Sequence, residues 1–349
     1  MFFKSDNWAG ASDVVSNALA TAHTGYAATY GDSDYDHQVK RQLEEIFETE
    51  LELFFVSTGT AANALSLTSM MRPGGVVFCH DESHIMADEC GAVEYFSGGG
   101  RLCPISGASG KINATQVADA QQRYPASFIH AGQPAAISVA QATEAGTIYP
   151  LDELDELGQL ANRDGLGFHM DGARFANALC HLNVTPAEMT WKRGVDILSF
   201  GATKNGCWCA EAVIIFNMEL ANQFAFLHKR AGQLLSKSQF VAAQFAAYLK
   251  DDHWLYLANH TNSMAHYLRT NIEQAENIRH AWPTQSNEIF VLISNDRLAA
   301  VRNAGAQFYD WPVPKVPPYE EGENETLCRL VTSFRTNRAE IDQFLGYIG

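Results

Sequence analysis

Apolar positions alternate between helical and strand-like spacing along the first two-thirds of the chain. Val39, Leu43, Ile46 and Phe47 recur at helical intervals, and residues 51–56 (Leu-Glu-Leu-Phe-Phe-Val) then read as a strand. Ser57-Thr58-Gly59-Thr60 leads into a helix that begins Ala61-Ala62-Asn63-Ala64-Leu65. Residues 75–80 form a short apolar strand, 83–90 a helix, and 127–130 and 136–139 two more strands. A helix over 151–163 precedes a strand over 167–171, and another strand covers 195–200. Short apolar strands alternating with helices predict an α/β domain built on a mostly parallel central sheet flanked by helices.

The pattern changes after about residue 230. Residues 239–281 read as a long helical stretch in which Asp251-Asp252-His253 ends a helix on the surface, and 288–293, 306–309 and 327–332 read as strands of a smaller sheet. Pro312, Pro314, Pro317 and Pro318, with Glu320-Glu321-Gly322-Glu323, are expected to form a loop between the last two strands. The expected organisation is an N-terminal arm and large domain over 1–237, then a small C-terminal α+β domain over 238–349.

Bulk properties narrow the function. The 349 residues exceed what one core of ~150 residues requires. A net charge of −16 repels phosphate backbones, and no local basic patch offsets it, so no nucleic-acid partner is expected. No apolar run approaches the ~20 residues of a membrane span. The start, Met1-Phe2-Phe3-Lys4-Ser5-Asp6, lacks the basic-then-apolar order of a secretory signal, which points to the cytoplasm. Seven scattered cysteines suit reduced thiols, and Cys207-Trp208-Cys209 has the wrong spacing for a redox or zinc motif.

Three polar features sit at the ends of expected buried strands, where open α/β sheets bind ligands. They are Asp171 in His-Met-Asp-Gly-Ala-Arg, Lys204 in Ser-Phe-Gly-Ala-Thr-Lys, and Thr58-Gly59-Thr60 before a helix. Singly each has a plain structural reading: a helix cap, a solvated charge, an ordinary turn. In this order they describe a site for pyridoxal 5'-phosphate. A lysine amine can form a Schiff base with the aldehyde, and a carboxylate keeps the pyridine nitrogen protonated. Backbone N–H groups at a helix N-terminus suit the phosphate. His84 can cover the ring face, and Arg174 suits a planar carboxylate or the ring hydroxyl.

At these residues the sequence resembles the low-specificity L-threonine aldolases of the aspartate-aminotransferase fold (fold type I pyridoxal phosphate enzymes). The resemblance runs from Lys4-Ser5-Asp6-Asn7 through Tyr30-Gly31-Asp32, Thr58-Gly59-Thr60-Ala61-Ala62-Asn63, His84, His169-Met170-Asp171-Gly172-Ala173-Arg174 and Lys204 to Arg329-Leu330-Val331-Thr332. It implies that Lys204 carries the cofactor, Asp171 pairs with the pyridine nitrogen, His84 stacks on the ring, and Gly59 and Thr60 bind phosphate. It further implies that Ser5, Arg174 and Arg329 hold the substrate carboxylate, and that the assembly is a homotetramer of tight dimers with shared active sites. Tyr30 and a basic residue, His228-Lys229-Arg230 or Lys237, would then reach a neighbouring subunit's cofactor. The segment 232–237 departs from the Gly-rich version of many relatives.

A second departure concerns the chemistry. Many relatives carry a histidine near Glu144, where this chain reads Gln141-Ala142-Thr143-Glu144-Ala145-Gly146-Thr147. Glu144, His84 or a water held by either is left to take the β-hydroxyl proton. The implied reaction is retro-aldol scission of L-threonine, L-allo-threonine or a relative such as phenylserine to glycine and an aldehyde. Other reactions open to the fold are β-elimination and transamination of a small amino acid. A zinc site from His80, His84 and Asp88 would require all three on one helix, whereas His80 closes an expected strand. A catalytically silent binding protein is disfavoured by the presence of Lys204, Asp171 and both arginines.

Overall fold

The computed structural model describes all residues except 23, 126, 320, 321, 323 and 349. Seven strands form the central sheet: β1 Glu52–Val56, β2 Gly75–His80, β3 Arg101–Ile105, β4 Gln133–Ala140, β5 Gly167–Gly172, β6 Ile197–Gly201 and β7 Glu211–Ile215. Their spatial order is β1-β7-β6-β5-β4-β2-β3, with only β7 antiparallel to its neighbours. Strands β2 and β6 are buried along their whole length, which is why they read as unbroken apolar runs. A second, antiparallel sheet holds β8 Ile278–His280, β9 Glu288–Ser294, β10 Tyr309–Asp310 and β11 Glu325–Val331 in the order β10-β11-β9-β8. The fold is thus α/β with a smaller C-terminal α+β part.

Several expected elements take another form. Residues 127–130 are turns rather than a strand, because Phe128 N–H bonds back to Pro125 O and Ala131 N–H to Phe128 O. The helix over 83–90 is only His84–Ala87. The long helical stretch is broken by Asp251 and Asp252, both at positive φ, into helices Gln239–Leu249 and His253–Ile272, and then gives way to β8. The strand over 306–309 shrinks to a bridge between Gln307 and Phe2 and the two residues of β10. Strands β3 and β7 were not legible in the pattern; β3 is an edge strand interrupted by Pro104. Part of the expected acidic loop, Glu320, Glu321 and Glu323, lies outside the described residues.

The two sheets are laced together by the N-terminal arm and by an internal helix. Phe3 is fully buried in the smaller core, and its carbonyl accepts the Val331 N–H. Conversely Val241, Phe245 and Tyr248 of Gln239–Leu249 pack into the core of the larger sheet. Below the site, His169 bridges three strands by contacts of 2.9 Å to Ser138 Oγ on β4 and Ser199 Oγ on β6.

Close packing at the carboxyl end of β5 fixes the site's floor. A β-carbon on Gly172 would stand 2.7 Å from Ser199 O and 2.8 Å from Leu198 Cδ1 on β6. Gly172→Ala must therefore push β5 from β6 beside Asp171. The expected cost is about 1–3 kcal/mol of unfolding free energy, read as a lower urea midpoint at unchanged slope.

Candidate active site

The carboxyl ends of the parallel strands and the loops that follow them enclose a cavity of about 350 Å³. Thr58, Gly59, Thr60, His84, Glu144, Asp171, Arg174 and Lys204 all line it. After β1 the chain turns at Thr58, whose Oγ1 accepts the Ala61 N–H at 3.1 Å and caps the helix Gly59–Met70. That helix directs its first backbone N–H groups, those of Gly59 and Thr60, toward the cavity, where they suit an anion.

Asp171 ends β5 and Lys204 follows β6, so adjacent strands deliver a carboxylate and an amine to one opening. The turn Thr203–Asn205 that carries Lys204 is anchored from below. Asn205 Nδ2 donates to Tyr248 Oη at 2.7 Å and to Trp254 O at 2.9 Å. Asp171 accepts the Ala173 N–H at 2.9 Å and Asn63 Nδ2 at 2.7 Å. Asn63 also donates to Glu89 Oε1 at 2.9 Å, and the same oxygen lies 2.8 Å from His84 Nδ1. A chain Asp171–Asn63–Glu89–His84 therefore orients the imidazole that faces the cavity. Its bond to Glu89 holds His84 above the usual imidazole range, and burial likewise raises Glu89.

Two further carboxyls share the wall. Glu144 Oε1 accepts the His84 backbone N–H at 2.7 Å. Burial, reinforced by the Asp171 charge, pushes Glu144 up to about 7. Glu211 opens β7 beside Gly59 and Gly201, and burial pushes it up to about 7 against the pull of Thr203 and Lys204.

Arg174 is held by two acids. Its Nε and Nη2 donate to Asp6 at 2.9 and 3.2 Å, and Nη1 lies 3.2 Å from Glu288 Oε2. Although burial opposes it, Asp6 and Glu288 keep the guanidinium firmly protonated. Arg329 stands behind, outside the lining, with Nη1 3.4 Å from Glu288 Oε1 and its guanidinium 4.2 Å above the Trp311 ring. Ser5 is also outside the lining; its Oγ accepts the N–H of Asn7, which does line the cavity. Tyr30 and Lys237 belong to another face, where Tyr30 N–H donates to Ser236 O and Lys237 is exposed. His80 closes β2 and its Nε2 lies 3.0 Å from Gly107 O, so it does not share a helix with His84. Among the described residues, no group of three or more His, Cys, Asp or Glu side chains is arranged to hold a metal ion.

Asn63, Glu89, Glu211, Asp6 and Glu288 carry much of this geometry without having been candidates. Asn63 and Asp6 sit inside the quoted motifs, so their neighbours were the available signal; Glu89, Glu211 and Glu288 had none.

The donor set fits pyridoxal phosphate. One opening combines an amine, a carboxylate on the adjacent strand, an imidazole on the wall and a glycine-started helix N-terminus. Residues 3–295 match the model of the beta-eliminating lyase family. The chain is 38% identical over 307 residues to the low-specificity L-threonine aldolase of a Pseudomonas species, covering 88% of each protein. It is 39% identical over 308 residues, again 88% of each, to that of Pseudomonas aeruginosa. This chain belongs to the low-specificity L-threonine aldolase family. In three dimensions it is similar to a threonine aldolase of Leishmania major, with a TM-score of 0.91, 28% identity, and coverage of 99% of this chain and 98% of that one. The serine palmitoyltransferase of Sphingomonas wittichii shares the fold alone, at 17% identity and a TM-score of 0.70, over 100% of this chain and 86% of that one.

The buried carboxyls of this aldolase-family site make stability depend on pH. Glu144 and Glu211 rise from 4.5 to about 7 on folding, so each binds more proton in the folded chain between those values. Their contribution is complete below about pH 4.5 and is lost as pH rises through about 7. His169, pushed down by burial to about 4, acts in the opposite sense. Comparing the cofactor-free chain with its E144Q/E211Q variant cancels such terms. The expected outcome is a wild-type urea midpoint that falls from pH 5 to pH 8 relative to the variant's.

Proposed function

We propose that this chain is a pyridoxal-phosphate-dependent aldolase that cleaves L-threonine, L-allo-threonine or related β-hydroxy-α-amino acids to glycine and an aldehyde. The observation that carries the reading is the pairing of Lys204 with Asp171 on neighbouring strand ends, in a cavity also lined by His84 and a helix N-terminus. When bound, the cofactor supplies an electron sink for the pair left on Cα as the Cα–Cβ bond breaks.

Each residue has a defined task. Lys204 supplies the amine that holds the cofactor aldehyde, and Asp171 keeps the proton on the pyridine nitrogen. His84, locked by Glu89, covers the ring face, while the Gly59 and Thr60 N–H groups and the Thr58 hydroxyl receive the phosphate. Arg174 orients the substrate carboxylate, with Ser5 and Arg329 behind it. Glu144 removes the β-hydroxyl proton. Its elevated affinity for a proton, near neutrality, suits a group that must take one up and later release it.

The same reading extends to the assembly. The chain is a homotetramer of dimers in the cytoplasm, with Tyr30 and Lys237 serving the cofactor of an adjacent subunit. Exposed Trp8, Tyr26, Tyr95, Trp208 and Phe226 support burial against other copies. Among the described residues no helix is long and apolar enough to cross a membrane. Residues 1–237 and 238–349 are the two units, exchanging Phe3 and the helix Gln239–Leu249 across their boundary.

Aldehyde and glycine release from L-threonine and phenylserine tests the reading. Lys204→Ala is expected to abolish both; full activity in that variant would sink the mechanism. Because Glu144 must be unprotonated to act, kcat/KM is expected to rise with pH near neutrality. Glu144→Gln should lower kcat by about 10²–10⁴-fold and remove that limb, while glycine still perturbs the cofactor's absorption.

A further inference from the structure

Glu211 places a carboxyl where the cavity is otherwise built for an anion. It opens β7 and pairs in register with Val56 of β1 on one side and Gly201 of β6 on the other. The first of these strands leads to the Gly59 turn and the second to Lys204, so the acid stands between them. A β-carbon on Gly201 would meet Glu211 Oε2 at 3.1 Å, and one on Gly59 would meet it at 3.9 Å. With glycine at both positions, the carboxyl closes up on the first turn of the helix Gly59–Met70 and lines the cavity there.

Thr203 donates to this carboxyl through its hydroxyl and its N–H, and the same hydroxyl accepts the Ala210 N–H at 3.1 Å. The acid is thus tied to the turn that carries Lys204. Burial is the main influence on its proton and raises it to about 7; Thr203 and Lys204 oppose the rise, and Asp171 reinforces it. Cys207, Cys209 and Tyr248 also feel its charge, and burial keeps all three protonated near neutrality. The turn at Thr58, Gly59 and Thr60 is uncharged, and His84, Glu89, Glu144 and Arg174 line the remaining wall.

A phosphate received by the Gly59 and Thr60 N–H groups is a second anion beside this carboxyl. Two anions so close and so buried repel each other, and the conflict is removed when one proton sits between them. The carboxyl then donates a short, charge-assisted O–H bond to the phosphate, while its other oxygen keeps Thr203 as donor.

We infer that Glu211 binds the cofactor phosphate as a neutral acid, donating its proton to a phosphate oxygen, so that cofactor binding takes up a proton from solvent. The inference rests on the cofactor reading above and adds to that site a donor that no motif in the sequence marks.

The full chain, stripped of cofactor, is titrated from pH 7 to 9 with pyridoxal phosphate and with pyridoxal, which lacks only the phosphate. In that range the free phosphate is already a dianion, its second pKa being about 6. Lys204, Asp171, His84 and Glu144 act on the ring and aldehyde that both ligands share, so the ratio of the two Kd values isolates the phosphate. An acid that gains proton affinity when phosphate arrives favours the complex below about pH 7 and loses that advantage as pH rises. The wild-type preference for pyridoxal phosphate is therefore expected to fall by at least about 10-fold from pH 7 to 9. In Glu211→Gln, whose amide donates at every pH and still accepts from Thr203, it should change by less than about 3-fold. Calorimetry at pH 8, in buffers of different ionisation enthalpy, should show the wild type taking up about one more proton with pyridoxal phosphate than with pyridoxal. A flat wild-type preference, an equal fall in the variant, or equal proton uptake with the two ligands would overturn the assignment, and the wild-type calorimetry decides it should the variant not fold. If neither ligand yields a Schiff-base absorption band, the cofactor reading itself falls and the assignment falls with it.

Discussion

Four carboxyl groups, Glu89, Glu144, Asp171 and Glu211, line one cavity, and this crowding governs the site. Four negative charges cannot share so enclosed a space, because burial penalises each charge and each repels the others. The structure resolves the conflict by unequal supply of partners. Asp171 receives two N–H donors, whereas Glu144 has one backbone donor and Glu211 has Thr203 with the Lys204 charge nearby. Protons therefore settle on Glu144 and Glu211, both raised to about 7. A carboxyl with two N–H donors and acids that take up protons near neutrality thus share one cavity.

A parallel problem of buried charge is solved across the two sheets. Arg174 at the end of β5 is neutralised by Asp6 from the N-terminal arm and Glu288 from β9, and Glu288 in turn meets Arg329 on β11. Asn287 Nδ2 reinforces the join by donating to Asp6 at 3.1 Å and to Thr332 O at 2.8 Å. Removing any one partner would strand a buried charge, so the arm and both sheets hold Arg174 jointly. Any group that displaced one of these acids from Arg174 would disturb the contact between the two parts of the chain.

How far the sequence could be read follows from how local each signal was. The strands that position Asp171 and Lys204 are buried on both faces, so largely apolar runs announced both elements, with Asp171 near the end of one and Lys204 just beyond the other. The turn at Thr58 was equally local, since its hydroxyl caps an N–H only three residues on, at the start of the helix it precedes. Asn63 and Asp171, by contrast, are 108 positions apart, and Glu288 meets Arg174 only because a second sheet packs beside the first. The helix end at Asp251-Asp252 was legible as an acidic surface pair, but its form was not: two successive left-handed residues interrupt the stretch without a glycine or proline to mark them. Strand β7 has the apolar residues of a buried strand, but nothing local shows that it runs antiparallel and delivers Glu211.

Placing a carboxylate rather than an imidazole at position 144 links these features. An imidazole would be neutral or cationic near neutrality, whereas a buried carboxyl is neutral or anionic. A carboxyl here that gives up its proton therefore adds negative charge beside Asp171, whose own charge already opposes it. The loop around it is held internally and from the second sheet: Thr143 N–H donates to Thr147 O at 2.9 Å, and Trp282 Nε1 donates at 2.7 Å to the carbonyl of the very next residue, Ala145. The short loop 141–147 thus couples the ionisation of Glu144 to the packing of the second sheet, through Trp282 and through Gly146, whose carbonyl accepts Ser286 Oγ.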